Sequence, residues 1–168
     1  MRNKEIENLI KSKELEGKRI FSTDILYRSF IKDTNKKSIL GIKPCGLWYS
    51  IGDSWLEWCI GEDFPGIGRY LYEVELNPKA NILFLSTKND VCSFNKEYIK
   101  KDKIFNSINW PKVMEDYDGI EVNPYFEELR YSFHNLLWYC SWDIPSGCIW
   151  NSNAKNKIIL LEEYDSVL

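Results

Sequence analysis

The chain has 168 residues, 44% hydrophobic and 28% charged, with a formal net charge of −3. That length holds one domain with a real core, and that composition excludes a disordered chain. The acidic balance argues against a broad electrostatic grip on nucleic acid and leaves room only for a local basic patch.

Residues 3 to about 15 set Ile6, Leu9, Ile10 and Leu15 among charges, the pattern of a short amphipathic helix that Gly17 ends. Partial alternation from Ile25 to Ile31 predicts a strand over 24–31, and "KDTNKKS" then reads as a polar, basic loop. "KPCGLWYSIG" predicts a second strand near 46–51, and Asp53 is placed to cap a helix over "SWLEWCI". "GEDFPGIG" is a turn, "RYLYEVEL" alternates as a strand, "NPKA" is a turn and "NILFLS" a buried strand. Residues 88–102 and 110–116 read as helices, the second opening on Trp110-Pro111. "DYDGIEVNPY" gives a strand over 118–122, started by Asp118-Gly119 and stopped by Asn123-Pro124. A helix is expected to begin at Pro124, and "GCIWN" and "NKIILLEEY" read as two last strands joined by "SNAK". Strands do not alternate regularly with helices, so the expected class is α+β in one domain over 1–168, with residues 1–17 as an N-terminal helix.

Several chemistries lack their residues. No Cys-x-x-Cys pair occurs among the five cysteines (Cys45, Cys59, Cys92, Cys140, Cys148), and His134 is the single histidine, so no metal site is expected. The cysteines read as small buried hydrophobes in a reducing compartment. The "GIG" at 66–68 is too short for a phosphate loop and precedes a strand. The charged start "MRNKEIENLIKSKELEGKR" has no signal-peptide pattern, and no apolar run reaches the roughly 20 residues of a membrane span. The expectation is a soluble, cytoplasmic protein, or one delivered to a target cell's cytoplasm, with no membrane partner.

Three polar residues in short predicted strands remain: Arg28 in "ILYRSF", Ser50 in "GLWYS" and Glu121 in "DGIEVNP". In that order and setting, from about Thr23 to Trp150, the chain resembles the Arg-Ser-Glu branch of the ADP-ribosyltransferases. "KPCGLWYSIGDSWLEWC" also looks like a signature of small proteins with that fold. The resemblance implies two small, mostly antiparallel or mixed sheets around an NAD cleft, flanked by short helices. It implies cleavage of the nicotinamide–ribose bond of NAD, used as substrate, and transfer of ADP-ribose to a protein or nucleic-acid acceptor. It further implies toxin, phage or antiphage settings and an inhibitor or antitoxin partner.

The chemistry assigns roles within that resemblance. As nicotinamide leaves, the ribose becomes an oxocarbenium-like cation, and a fixed carboxylate stabilises it by about 3 kcal/mol; Glu121 is the candidate. Arg28 would fork onto a cofactor phosphate, and Ser50 would hydrogen-bond Glu121 and fix its rotamer. Tyr49 or Trp48 would stack on nicotinamide, with Tyr27 beside Arg28 on the cofactor side. Gly119 stands two residues before Glu121, where arginine-modifying relatives carry a glutamate, so that acceptor is not expected. The usual Ser-Thr-Ser is Trp48-Tyr49-Ser50, and the tyrosine-bearing polymerase-like branch would need a histidine where Tyr27 and Arg28 stand.

Two other readings stay open. The same site can serve water or a small acceptor, as an NAD glycohydrolase or small-molecule transferase. Alternatively, the seven tryptophans form a non-enzymatic binding surface for a partner, sugar or nucleotide. "WDIPSGCIW" reads either as a turn into a strand or as a cofactor loop presenting Asp143 and Ser146. Glu73 and Glu75 share one strand face and read as solvated rather than as a glycosidase pair.

Overall fold

The structure, a computed structural model, describes residues 2–27, 42–101, 106–132 and 137–164. Among the described residues four α-helices and nine strands follow one another: α1 (Arg2–Ser12), β1 (Arg19–Thr23), β2 (Leu47–Ile51), α2 (Ser54–Gly61), β3 (Tyr70–Leu76), β4 (Ile82–Leu85), α3 (Lys88–Tyr98), β5 (Ile99–Lys100), β6 (Ser107–Ile108), α4 (Trp110–Asp116), β7 (Gly119–Val122), β8 (Ser146–Ile149) and β9 (Lys155–Glu163). The class is α+β in a single domain. The expected pair of small sheets is instead one seven-stranded sheet, order β4-β7-β8-β2-β1-β3-β9, beside a two-residue ladder of β5 and β6. Among the described residues only β4 and β7 run parallel, joined by a crossover that carries α3 and α4; every other described pairing in the large sheet is antiparallel.

A short connection forces the sheet to curl. Four strands separate β3 from β4, about 24 Å along a flat sheet at the usual strand spacing. The connection over 77–81 reaches about 20 Å fully extended, and it is shortened by a turn in which Ala80 N–H donates to the Asn77 carbonyl. The ends of β3 and β4 therefore approach across the inside of the curl, where Tyr49, Val74, Ile82, Ile149 and Ala154 form a small core. The outer face carries the helices in two groups. Leu56 of α2 and Ile6 of α1 pack on Ile20 and Leu71, while Val91 and Phe94 of α3 and Trp110 and Val113 of α4 pack on Ile120, Val122 and Cys148.

Local chemistry explains two departures from the expected elements. The first described strand lies at 19–23, and residues 24–27 of the expected 24–31 strand lie outside the sheet, because the Thr23 hydroxyl accepts from Ile25 N–H and the Asp24 carboxylate accepts from Arg69 N–H, turning the chain away. Ile25 is left 78% exposed; the remainder of the expected strand, with Arg28, lies outside the described residues, as does His134. Pro124 opens no α-helix. A cis Asn123–Pro124 bond leads instead to Tyr125 stacked on Tyr139 at 4.9 Å, and Phe126 N–H donates to the Tyr139 hydroxyl. Only a 3-10 turn forms at Glu127–Leu129, because this tertiary ring stack overrides the local helix signal.

A capping box opens α3: the Thr87 hydroxyl accepts from Asp90 N–H, and the Asp90 carboxylate accepts from Thr87 N–H. Among the described residues no helix is long and apolar enough to cross a membrane.

Candidate functional site

Strand alternation decides which candidate side chains can meet. Along β2, Leu47, Tyr49 and Ile51 face the inside of the curl, and Trp48 and Ser50 face the helices. Glu121 pairs with Gly147, and Gly147 with Tyr49, so these three form one inward row across β7, β8 and β2. Gly147 makes the row possible, since a Cβ there would overlap the Tyr49 ring. The ring crosses the glycine, and its hydroxyl donates to Glu121 Oε2 at 2.9 Å.

Arg19, inward on β1, reaches the same carboxylate. Its Nε donates to Oε2 at 2.7 Å and its Nη2 to Oε1 at 3.3 Å. Burial works to lower the Arg19 pKa, but the hydrogen bond and charge of Glu121 outweigh it and the net shift is upward. Burial, then the charge of Glu121, pushes the Tyr49 hydroxyl pKa well up, so it stays a neutral donor. Glu121 is 5% exposed.

The expected bond from Ser50 to Glu121 is not made. Ser50 lies on the opposite face, paired with Ser146, and its hydroxyl donates to the Ile20 carbonyl at 3.3 Å. The glutamate's rotamer is held instead by Arg19 and Tyr49. Tyr49 therefore does not present its ring to a cleft ligand. Tyr27 packs against Phe21 and Tyr72, with its N–H donated to the Tyr72 hydroxyl. Arg28 lies outside the described residues.

The outer face opens where the two helix groups part. A cleft of about 290 Å³ lies over β2 and its neighbours. Ser22, Ser50 and Ser146 supply hydroxyl-bearing lining from β1, β2 and β8, and Trp48, Trp55 and Trp142 supply aromatic walls. Trp48 meets Trp142 edge-on at 4.7 Å. Trp55 is stacked on Trp58 at 5.3 Å and donates its indole N–H to the Gly66 carbonyl. Three of the seven tryptophans, Trp110, Trp138 and Trp142, are buried, while Trp48, Trp55, Trp58 and Trp150 are half-buried. The tryptophan surplus thus serves both a core and a cleft.

Two charges lie at this cleft, Lys43 and Asp143. The Lys43 ammonium sits 5.2 Å from the Trp48 ring centre. Although Lys43 as a residue is exposed, desolvation of its ammonium lowers its pKa, and the nearby charge of Asp143 only partly offsets this. Asp143 occupies a three-residue turn with φ +64°, closed by Ile144 N–H donating to the Trp142 carbonyl at 2.8 Å, a rare and strained turn for a residue other than glycine. Arg130 Nη2 donates to Asp143 Oδ1 at 2.5 Å.

The structure thus brings Trp48 and Ser50 together at the cleft and removes Glu121 to the other face. Sequence reasoning did not find Lys43, Ser22, Arg19 or Gly147. The signal for Gly147 was present, as a glycine inside a strand pattern often marks a close approach. No family model matches the chain, no curated protein matches it, and no solved structure matches it.

Proposed function

We propose that the chain is an NAD-consuming ADP-ribosyltransferase whose substrate enters the cleft over β2. The observation that carries this reading is the cleft itself: tryptophan walls, a hydroxyl-bearing floor, one carboxylate and one ammonium in about 290 Å³. That volume lies just below the small end of ligand pockets, about 300 Å³. It suits a pyridine ring and a ribose, with the pyrophosphate and adenosine lying outward past Lys43.

Each part of the substrate has a counterpart. Indole faces stack on the planar nicotinamide, serine hydroxyls hydrogen-bond its carboxamide and the ribose, and an ammonium at the rim attracts the pyrophosphate as a point charge. In the reaction the bond from ribose C1′ to nicotinamide N1 breaks heterolytically. Its electron pair stays on N1, which leaves as neutral nicotinamide. C1′ then bonds to a lone pair of the acceptor, whose proton passes through a carboxylate to water. Preorganised negative charge beside C1′ favours that cationic transition state.

The test is nicotinamide release from NAD by the purified protein, with and without cell lysate. Release that rises with lysate, with ADP-ribose on a macromolecule, is the expected result. Free ADP-ribose as the sole product reassigns the cleft to hydrolysis. No release and no NAD binding under either condition overturns the reading.

A further inference from the structure

We infer that the carboxylate facing the bound ribose is that of Asp143, and that Glu121 holds the sheet together from its other side. This rests on the reading above and names a catalytic residue within it.

Three observations converge on Asp143. It is the sole carboxylate lining the cleft among the described residues. Its position is imposed: the turn at φ +64° closes onto the segment leading into β8, and Arg130 holds Oδ1. A carboxylate fixed through one oxygen keeps the other for a ligand, and among the described residues Oδ2 accepts no hydrogen bond. Ser146, three residues on, lies directly across from Ser50, so the turn leads straight onto the cleft floor.

Glu121 has the opposite character. Both its oxygens accept bonds from Arg19, Oε2 also from Tyr49, and its side chain is 6% exposed. To meet a cleft ligand it would have to leave three hydrogen bonds and pass through the sheet. In the reaction the Asp143 carboxylate faces C1′ as that carbon gains positive charge. It then takes the proton of the attacking acceptor and releases it to water, so it forms no covalent bond and ends as it began.

The experiment compares wild type, Asp143→Asn, Asp143→Gly and Glu121→Gln for nicotinamide release at saturating NAD, for NAD binding by tryptophan quenching, and for thermal unfolding. Asp143→Gly removes the carboxylate with a residue that adopts φ +64° freely, so at least this variant keeps the turn. The expected result is a rate lower by about 100-fold in both Asp143 variants, NAD affinity within about threefold of wild type, and a Glu121→Gln protein that melts earlier yet turns over when folded. Either folded Asp143 variant keeping more than a tenth of the wild-type rate overturns the inference while leaving the transferase reading intact. Loss of turnover in folded Glu121→Gln beside active Asp143 variants returns the role to Glu121. A wild type that neither binds nor cleaves NAD removes both inference and reading.

Discussion

The two faces of the curled sheet hold nearly the same chemistry and use it differently. Inside the curl, a carboxylate, a guanidinium and a tyrosine (Glu121, Arg19, Tyr49) close on one another with three hydrogen bonds. On the outer face, a carboxylate, an ammonium and a group of tryptophans (Asp143, Lys43, Trp48 and neighbours) line an open cleft, with one carboxylate oxygen engaged by Arg130 from outside the lining and the backbone strained. A buried polar set that satisfies itself fixes a structure. A set left partly unsatisfied, in a cavity with access to solvent, has capacity for a ligand. Residue identity does not distinguish the two cases; hydrogen-bond saturation and access do.

That contrast can be broken at several points. The largest stability effect belongs to the inner face. Glu121→Gln leaves the Arg19 guanidinium, whose side chain is 27% exposed, without its ionised partner; a loss of about 3 kcal/mol is expected in denaturant unfolding. Arg19→Met together with Glu121→Gln should recover part of that loss, because the orphaned charge is gone. If the double variant is no more stable than Glu121→Gln alone, the inner set is not a coupled unit.

Gly147→Ala tests how the inner row is built. The added methyl overlaps the Tyr49 ring, so overpacking of about 2 kcal/mol is expected in the same measurement. Unchanged stability would mean that the ring does not cross the glycine in solution.

Lys43→Met probes the outer face. Removing this rim ammonium should weaken NAD binding about tenfold while leaving unfolding stability unchanged or slightly raised, since its charge is held against a desolvation penalty. Wild-type binding should weaken with added salt, and the variant's should weaken less. Equal salt slopes would detach Lys43 from the ligand.

The smallest effect is a control outside both regions. Thr87→Ala removes the hydroxyl half of the α3 capping box and should lower stability by about 1 kcal/mol without touching NAD affinity. Hydrogen bonds from the Thr87 hydroxyl and then from backbone N–H groups hold the Asp90 carboxyl below its ordinary 3.8. A depressed carboxyl stabilises the fold above the unfolded value and loses that contribution as pH falls through the folded one. The gap between wild type and Thr87→Ala should therefore narrow on acid titration below about pH 4; a gap that widens there contradicts the cap.

Local signals were legible along most of the chain. The helix expected over 110–116 is α4, the alternating "RYLYEVEL" is β3, and "NILFLS" holds β4. The alternation that starts at Ile25 gives no strand over 24–27, because the Thr23 hydroxyl and the Asp24 carboxylate satisfy backbone N–H groups outside the sheet. The expected helix at Pro124 gave way to the stack of Tyr125 on Tyr139, a partner fourteen residues away that no local window contains.

The site was half legible for the same reason. Trp48 and Ser50 were named through a resemblance carried by one short strand segment, and strand periodicity is a short-range property. Their expected meeting with Glu121 depends on parity across β7, β8 and β2, and parity follows from register between strands far apart in sequence. One residue's difference in register sends a side chain through the sheet. The sequence alone determined an aromatic-rich α+β domain and most of its elements, because composition and periodicity are local. The curl, the Arg19–Glu121–Tyr49 closure and the opening between the two helix groups were decided by tertiary structure alone. Each depends on which strand lies beside which, and on a connection too short to let the sheet lie flat.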